Sequence, residues 1–178
     1  LDETELIATA MLILMAGHGS TIDVMGSGCH ALLTHTGEMA KLRADPGHMP
    51  TAVQEMFRYD TPLPFFHRYA AMDCEVAGYH MPQGTKLGLL YAAANRDPAA
   101  FEAADRFDVT RTPNRHLSFG MGAHLCLGNH LSRLDMEVLF ATLLRRTRAM
   151  TLAADEVHYK LGISVRGPIA LHVALRPV

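Results

Sequence analysis

No tryptophan occurs in the 178 residues, aromatic side chains make up only 7%, and 16 Lys and Arg nearly balance 18 Asp and Glu. A formal net charge of −2 excludes the basic face of a nucleic-acid binder and the polybasic stretch of a membrane-surface anchor. Runs of like charge are missing as well. The longest apolar run, residues 6–16 with Thr9 inside it, is too short for a bilayer span, and nothing at the N-terminus has the form of a cleavable signal peptide. Cysteine is scarce: Cys29, Cys74 and Cys126 are odd in number and widely spaced. They make no disulfide framework, and at least one is left free to act as a thiol or a ligand. These absences predict a cytoplasmic protein that engages neither nucleic acid nor membrane.

What is present is a chain of 49% apolar residues, enough for one unit over residues 1–178 with its own core. It opens on Leu1 rather than Met, from which the start of a longer chain is expected to be missing. Asp2 and Thr4 can cap a long helix over residues 2–34, with apolar residues at Leu6, Ala10, Ile13 and Leu14 and again at Val24, Met25, Leu32 and Leu33. Its middle, Ala16-Gly17-His18-Gly19-Ser20-Thr21, places two glycines in a helix interior, where each costs about 1 kcal/mol relative to Ala. Two readings fit: a loosened helix with room beside its backbone, or close packing of another helix on small residues.

Further helices are predicted over residues 38–43, 50–59 and 129–146, the last with Leu131, Leu134, Val138 and Leu139 on its apolar face. Short strands are expected over residues 68–72, 75–79 and 86–90, with a Met81-Pro82-Gln83-Gly84 turn, and a hairpin over residues 161–175. Between Asn95 and Arg115 the chain is rich in Pro, Asp, Asn and Arg, a loop longer than a compact domain tolerates without a function. The predicted class is α+β, mainly α, with a small antiparallel sheet.

The most informative stretch is Phe119-Gly120-Met121-Gly122-Ala123-His124-Leu125-Cys126-Leu127-Gly128. Glycines at 120 and 122 allow a tight, left-handed backbone and leave amide N–H groups open around Cys126. The loop runs into a helix N-terminus, where the dipole favours a thiolate over a thiol. A thiolate held there is a soft, strongly donating ligand for iron or zinc. A zinc site from His116, His124, Cys126 and His130 lacks paired ligand spacing. Taken alone, Glu55 and Arg58 are an ordinary solvated i,i+3 pair, Arg68 and His116 carry no functional weight, Cys29 and Cys74 behave as small hydrophobes, and Met11, Met15, Met25 and Met39 fill core or groove.

This loop resembles the haem-ligand loop of the cytochrome P450 family, Phe-Gly-x-Gly-x-His-x-Cys-x-Gly, at every fixed position. Glu55-Met56-Phe57-Arg58 resembles the family's Glu-x-x-Arg signature, and Ala16-Gly17-His18-Gly19-Ser20 resembles the kink of its distal, oxygen-binding helix. The likeness runs from end to end of the chain and is nearest to soluble bacterial members. It implies the C-terminal part of the fold, from the distal helix to the C-terminus, with the family's N-terminal half absent. It also implies haem b (iron protoporphyrin IX) with Cys126 as axial thiolate, Phe119 packed beside it, and Gly120 and Gly128 shaping the loop. Arg68, His116 and His124 are implied as propionate partners, and Arg106 as the residue that closes a structural triad with Glu55 and Arg58. Gly17, Ser20 and Thr21 are the implied oxygen-side residues. There the chain departs from its family, with Gly19 at the position of the usual acid and Ser20 at that of the alcohol.

The function so implied is a haem-thiolate monooxygenase that inserts one oxygen atom of O2 into a small organic substrate, with electrons from a ferredoxin- or flavodoxin-type donor. The competing expectation is a non-catalytic, truncated haem-binding or interaction module. If the chain is truly truncated, uncovered apolar surface predicts a homo-oligomer.

Overall fold

The computed structural model describes residues 1–178. Helix α1, Glu3–Thr34, is one unbroken α-helix. Its start is a capping box: the Asp2 carboxylate accepts from the Glu5 amide at 2.8 Å, and Glu5 accepts from the Asp2 amide at 3.0 Å. The Gly17–Ser20 stretch does not loosen it. An added Cβ at Gly17 or Gly19 meets nothing within 4 Å, so these glycines face open space rather than a closely packed helix. Only the C-terminal half is buried, through Asp23, Val24, Ser27, Gly28, Ala31, Leu32 and Leu33. The first half leaves Leu6, Ile7, Met11, Leu12, Ile13, Leu14 and Met15 all more than half exposed. Judged over the whole helix rather than over one apolar run, α1 is long and apolar enough to cross a membrane by length and composition. Its packed second half belongs to the core instead.

Helices α2, Thr36–Ala44, and α3, Met49–Tyr59, follow, the latter with Pro50 in its first turn, where a missing N–H costs nothing. Strand β1, Phe66–Tyr69, pairs antiparallel with β4, Lys86–Leu89, and encloses the hairpin of β2, Cys74–Val76, and β3, Tyr79–Met81. The single strand expected over 75–79 is therefore two. Ala77 at φ +51° and Gly78 at φ +81° turn the chain between them, the left-handed geometry of a two-residue hairpin loop. After the single helical turn α4, Tyr91–Ala94, no helix or strand forms until a 3-10 turn at Gly122–His124.

Helix α5, Asn129–Arg146, leads directly into β5, Thr147–Leu152, which pairs with β6, Val173–Pro177. The hairpin expected over 161–175 does not form as such. Its second arm finds β5 as partner, a single bridge joins Tyr159 to Pro168, and Leu161 and Ile163 lie exposed. The inward face of α5 is likewise not the expected one: Met136 and Phe140 are buried, with Leu139 and Leu143 at the margin, whereas Leu131, Leu134 and Val138 are more than half exposed. Asn129, Met136 and Phe140 lie at i, i+7 and i+11, the side on which α1 and α3 pack. The core is one cluster joining α1, α3 and α5 to Phe107 and Val109 of the long loop.

Candidate functional site: a cysteine loop tied to a buried ion cluster

Glu55 and Arg58 lie one turn apart on α3 and are 0% exposed as side chains, so the solvated pair is a buried one. Two parallel bonds join them, Arg58 Nε to Glu55 Oε2 at 2.7 Å and Nη2 to Oε1 at 2.8 Å. The remaining Arg58 donors reach the carbonyls of Asn95 and Ala104, both at 2.7 Å, and of Arg106 at 2.9 Å. All five N–H groups are thus used, which is what makes a guanidinium tolerable inside a protein. Glu55 also accepts from the Asp108 amide at 2.9 Å and from Asn114 Nδ2 at 3.0 Å.

The third charge in the cluster is Arg111, whose Nε lies 3.1 Å from Glu55 Oε2 while its Nη atoms hold the carbonyls of Glu102, Ala103 and Arg106. Arg106 does not close the triad. Its side chain turns out to Asp108 at 3.8 Å, more than half exposed, and only its backbone carbonyl enters the cluster. Four arginines occur between Asn95 and Arg115, and nothing local distinguishes the one that the loop path delivers to Glu55. Arg111→Ala is expected to lower stability by about 1.5–3 kcal/mol, the range for hydrogen bonds to charged groups. Arg106→Ala, which leaves its carbonyl in place, should stay within about 0.5 kcal/mol. Urea midpoints of the two variants measured side by side decide between the arginines.

From this cluster a chain of contacts leads to the cysteine. Asn95, buried, donates to Ser118 Oγ at 2.9 Å and accepts from the Leu117 amide at 2.7 Å, and Ser118 donates to the Phe57 carbonyl at 2.7 Å. Phe119 packs on Phe57 with ring centroids 4.5 Å apart. Its carbonyl accepts the Cys126 amide at 2.9 Å, which closes the loop. Gly120 at φ +66° and Gly122 at φ +75° make the reversal, a backbone that side chains disfavour. At the other end Asn129 Nδ2 donates to the Cys126 carbonyl at 2.7 Å, and α5 starts from Gly128. Cys126 is left with an exposed thiol just before a helix N-terminus.

Arg133, one turn into α5, was not anticipated from the sequence. Its guanidinium lies over the Phe119 ring at 4.6 Å and donates to Gln54 at 3.2 Å and to Asn129. Burial lowers the pKa of this guanidinium, and the neighbouring Cys126 and Glu137 work against that shift. Nothing local in the sequence marks Arg133: as the fifth residue of α5 it lies beyond the first turn.

His116 is turned the other way. Its Nε2 lies 3.0 Å from Gln54 Oε1, and its ring stacks near Phe57 and Phe119. Burial, with the charges of Arg133 and Arg58 behind it, pushes its pKa down to about 4, so this half-buried imidazole is neutral at pH 7 rather than the positive charge expected. Between pH ~6.5 and ~4 the unfolded chain takes up a proton that the folded one refuses. Stability therefore falls as the pH drops through that window, by up to about 3 kcal/mol at about 1.4 kcal/mol per pH unit, and levels off below it. His116→Gln should flatten this dependence, as measured by urea midpoints at pH 7 and pH 4.5.

The remaining residues stand apart from this network. Arg68 has no carboxylate partner; it donates to the His67 carbonyl and lies over Phe66. His124 is exposed in the 3-10 turn. Ser20 donates back to the Ala16 carbonyl at 3.0 Å, and neither it nor Gly17 or Thr21 bonds to the cysteine loop. For a haem the donor set fits: the exposed Cys126 thiol, the Arg68 guanidinium without a carboxylate partner and the exposed His124 imidazole.

Residues 1–162 match the profile of the Cytochrome P450 family. The chain is 41% identical over 160 residues to the biotin biosynthesis cytochrome P450 of Bacillus subtilis, covering 90% of this chain and 40% of that one. It is 39% identical over 177 residues to 6-deoxyerythronolide B hydroxylase of Saccharopolyspora erythraea, covering 98% and 44%. Among solved structures, P450BioI in complex with hexadec-9Z-enoic acid ligated acyl carrier protein superposes with a TM-score of 0.90 at 40% identity, over 93% of this chain and 43% of that one. The chain belongs to the cytochrome P450 family and spans less than half the length of these relatives.

Proposed function

We propose that the chain forms the cysteine-ligand part of a bacterial haem-thiolate monooxygenase that places one oxygen atom of O2 into a small organic substrate. The observation that carries this reading is the Cys126 thiol, exposed at the head of α5 on a loop anchored to the buried Glu55–Arg58–Arg111 cluster. A loop meant only to connect needs no such anchor. Iron protoporphyrin IX bound there would supply the oxygen-activating chemistry.

The protein's own part is binding, shielding and proton handling. Cys126 would hold the iron at the head of α5, on the loop that Gly120 and Gly122 shape. Arg68 and His124 take the propionates. With haem bound, Phe119, wedged between Phe57 and Arg133, would limit water at the sulfur, which is exposed without it. On the oxygen side Gly19 offers no titratable group, so Ser20 and Thr21 carry the proton transfers, and Ser20 must first release the Ala16 carbonyl. Residues 1–178 act as one unit in the cytoplasm, and a ferredoxin- or flavodoxin-type donor docks on the Cys126 side. Haemin titrated into the chain, followed by reduction under carbon monoxide, tests the reading. A Soret band at the red-shifted position of thiolate-ligated haem is expected; the band of free or imidazole-ligated haem would refute it.

A further inference from the structure

Gln54 precedes Glu55 on α3 and is half-buried. Its side-chain oxygen is approached from two directions, by His116 Nε2 at 3.0 Å and by Arg133 Nε at 3.2 Å. A guanidinium can only donate, which fixes the Gln54 amide with its oxygen toward both neighbours. The Ser118 amide donates to His116 Nδ1 at 3.3 Å, so in the neutral ring the hydrogen is assigned to Nε2, where it points at the same oxygen. In the chain these two donors bracket the cysteine loop: His116 stands three positions before Phe119, and Arg133 seven after Cys126.

Each donor passes the hold on to the loop. On one side His116 holds the Ser118 amide, and the next residue, Phe119, accepts the Cys126 amide on its carbonyl at 2.9 Å. On the other side Arg133 Nη1 donates to Asn129 Oδ1, and Asn129 Nδ2 donates to the Cys126 carbonyl at 2.7 Å. Cys126 is therefore held at its amide by one branch and at its carbonyl by the other. The Arg133 guanidinium, 4.6 Å from the centre of the Phe119 ring, joins the two.

The ion cluster next door does not make this connection. Its carboxylate receives Arg58, Arg111, Asn114 and the Asp108 amide, all of them ahead of His116 in the chain. Glu55 fixes the long loop, and its neighbour Gln54 meets the segment that follows. Losing the Gln54 oxygen would strip an imidazole N–H and a guanidinium N–H of their acceptor at once.

We propose that Gln54 is a positioning residue for the cysteine ligand: its one oxygen ties the two ends of the loop together, through His116 and through Arg133 with Asn129, and so fixes the direction in which Cys126 presents its thiol. The consequence for haem rests on the function proposed above; the tie itself does not, so it is tested first without haem. Amide hydrogen exchange followed by NMR on the haem-free chain should show Leu125 and Cys126 exchanging at least ~tenfold faster in Gln54→Leu, with Leu32 and Phe140 at wild-type rates. Gln54→Glu, which keeps an acceptor for both donors, should match the wild type. Arg133→Leu should speed the same two amides, and adding Gln54→Leu to it should change them by less than ~twofold, because a tie cut at one end is already cut. In the haemin-titrated chain, Gln54→Leu should lower the thiolate share of the Soret band under carbon monoxide by at least ~twofold, and Gln54→Glu should restore it. Unchanged exchange in Gln54→Leu, the same loosening in Gln54→Glu, or rate increases that multiply in the double variant would overturn the proposal. So would a full thiolate band from a chain whose loop has loosened. A wild-type chain without a thiolate band would refute the haem-thiolate reading alone, and the haem-free rates would still decide the tie.

Discussion

Glu55→Ala is expected to lower the stability of the folded chain by about 3–5 kcal/mol, the cost of leaving a buried charge without its partner. Against the ~5–15 kcal/mol that holds a typical domain together, this is the largest single-residue loss the structure implies. The reason is the number of groups that depend on one carboxylate. Arg58, Arg111, Asn114 and the Asp108 amide all donate to it, and water cannot reach the space to replace it. Glu55→Gln should cost less, about 1–3 kcal/mol, because one acceptor oxygen and the side-chain volume survive. Replacing Glu55 and Arg58 together by apolar residues, which rescues many buried pairs, should fail here. Arg58 also satisfies three backbone carbonyls, and they would be left without donors. Urea midpoints of the three variants measure this; an unchanged Glu55→Ala midpoint would show that the cluster does not hold the loop.

The second large effect concerns the cofactor and leaves the fold untouched. Cys126→Ser in the haemin-titrated chain should abolish the thiolate Soret band under carbon monoxide and weaken haem retention at least ~tenfold, equivalent to about 1.4 kcal/mol or more. Far-UV circular dichroism and the urea midpoint should not move, because the thiol is exposed and makes no hydrogen bond, while the backbone bonds of residue 126 persist. A persisting thiolate band in Cys126→Ser would assign the ligand to Cys29 or Cys74. Burial pushes the Cys29 thiol up to about 11, a poor state for a ligand that must be deprotonated.

Much of the architecture was legible because its determinants are local. The Asp2 cap, Pro50 at the start of α3 and the periodicity of α1, α3 and α5 each act within a few residues, and the helices lie within a residue or two of their expected bounds. The cysteine loop was legible for the same reason: two glycines, both at positive φ, a cysteine and a helix start lie within ten residues. Misreadings arose where a partner far along the chain decides. The segment 161–175 alternates like a hairpin, yet the strand it contributes pairs with residues 147–152, which carry no strong strand signal. The apolar stripe of Leu131, Leu134 and Val138 is as regular as that of Met136 and Phe140, and only the positions of α1 and α3 choose between them.

The sequence by itself determined where the helices run and which cysteine stands on a glycine-shaped loop before a helix. Those are consequences of backbone sterics and of hydrogen bonds between near neighbours. Only the tertiary structure decided that Glu55 and Arg58 are buried, that Arg111 rather than Arg106 completes their cluster, and that His116 is half-buried against Gln54 and Phe57. Burial and charge pairing are properties of the space between segments, and a sequence does not display that space until the long loop has been routed across α3.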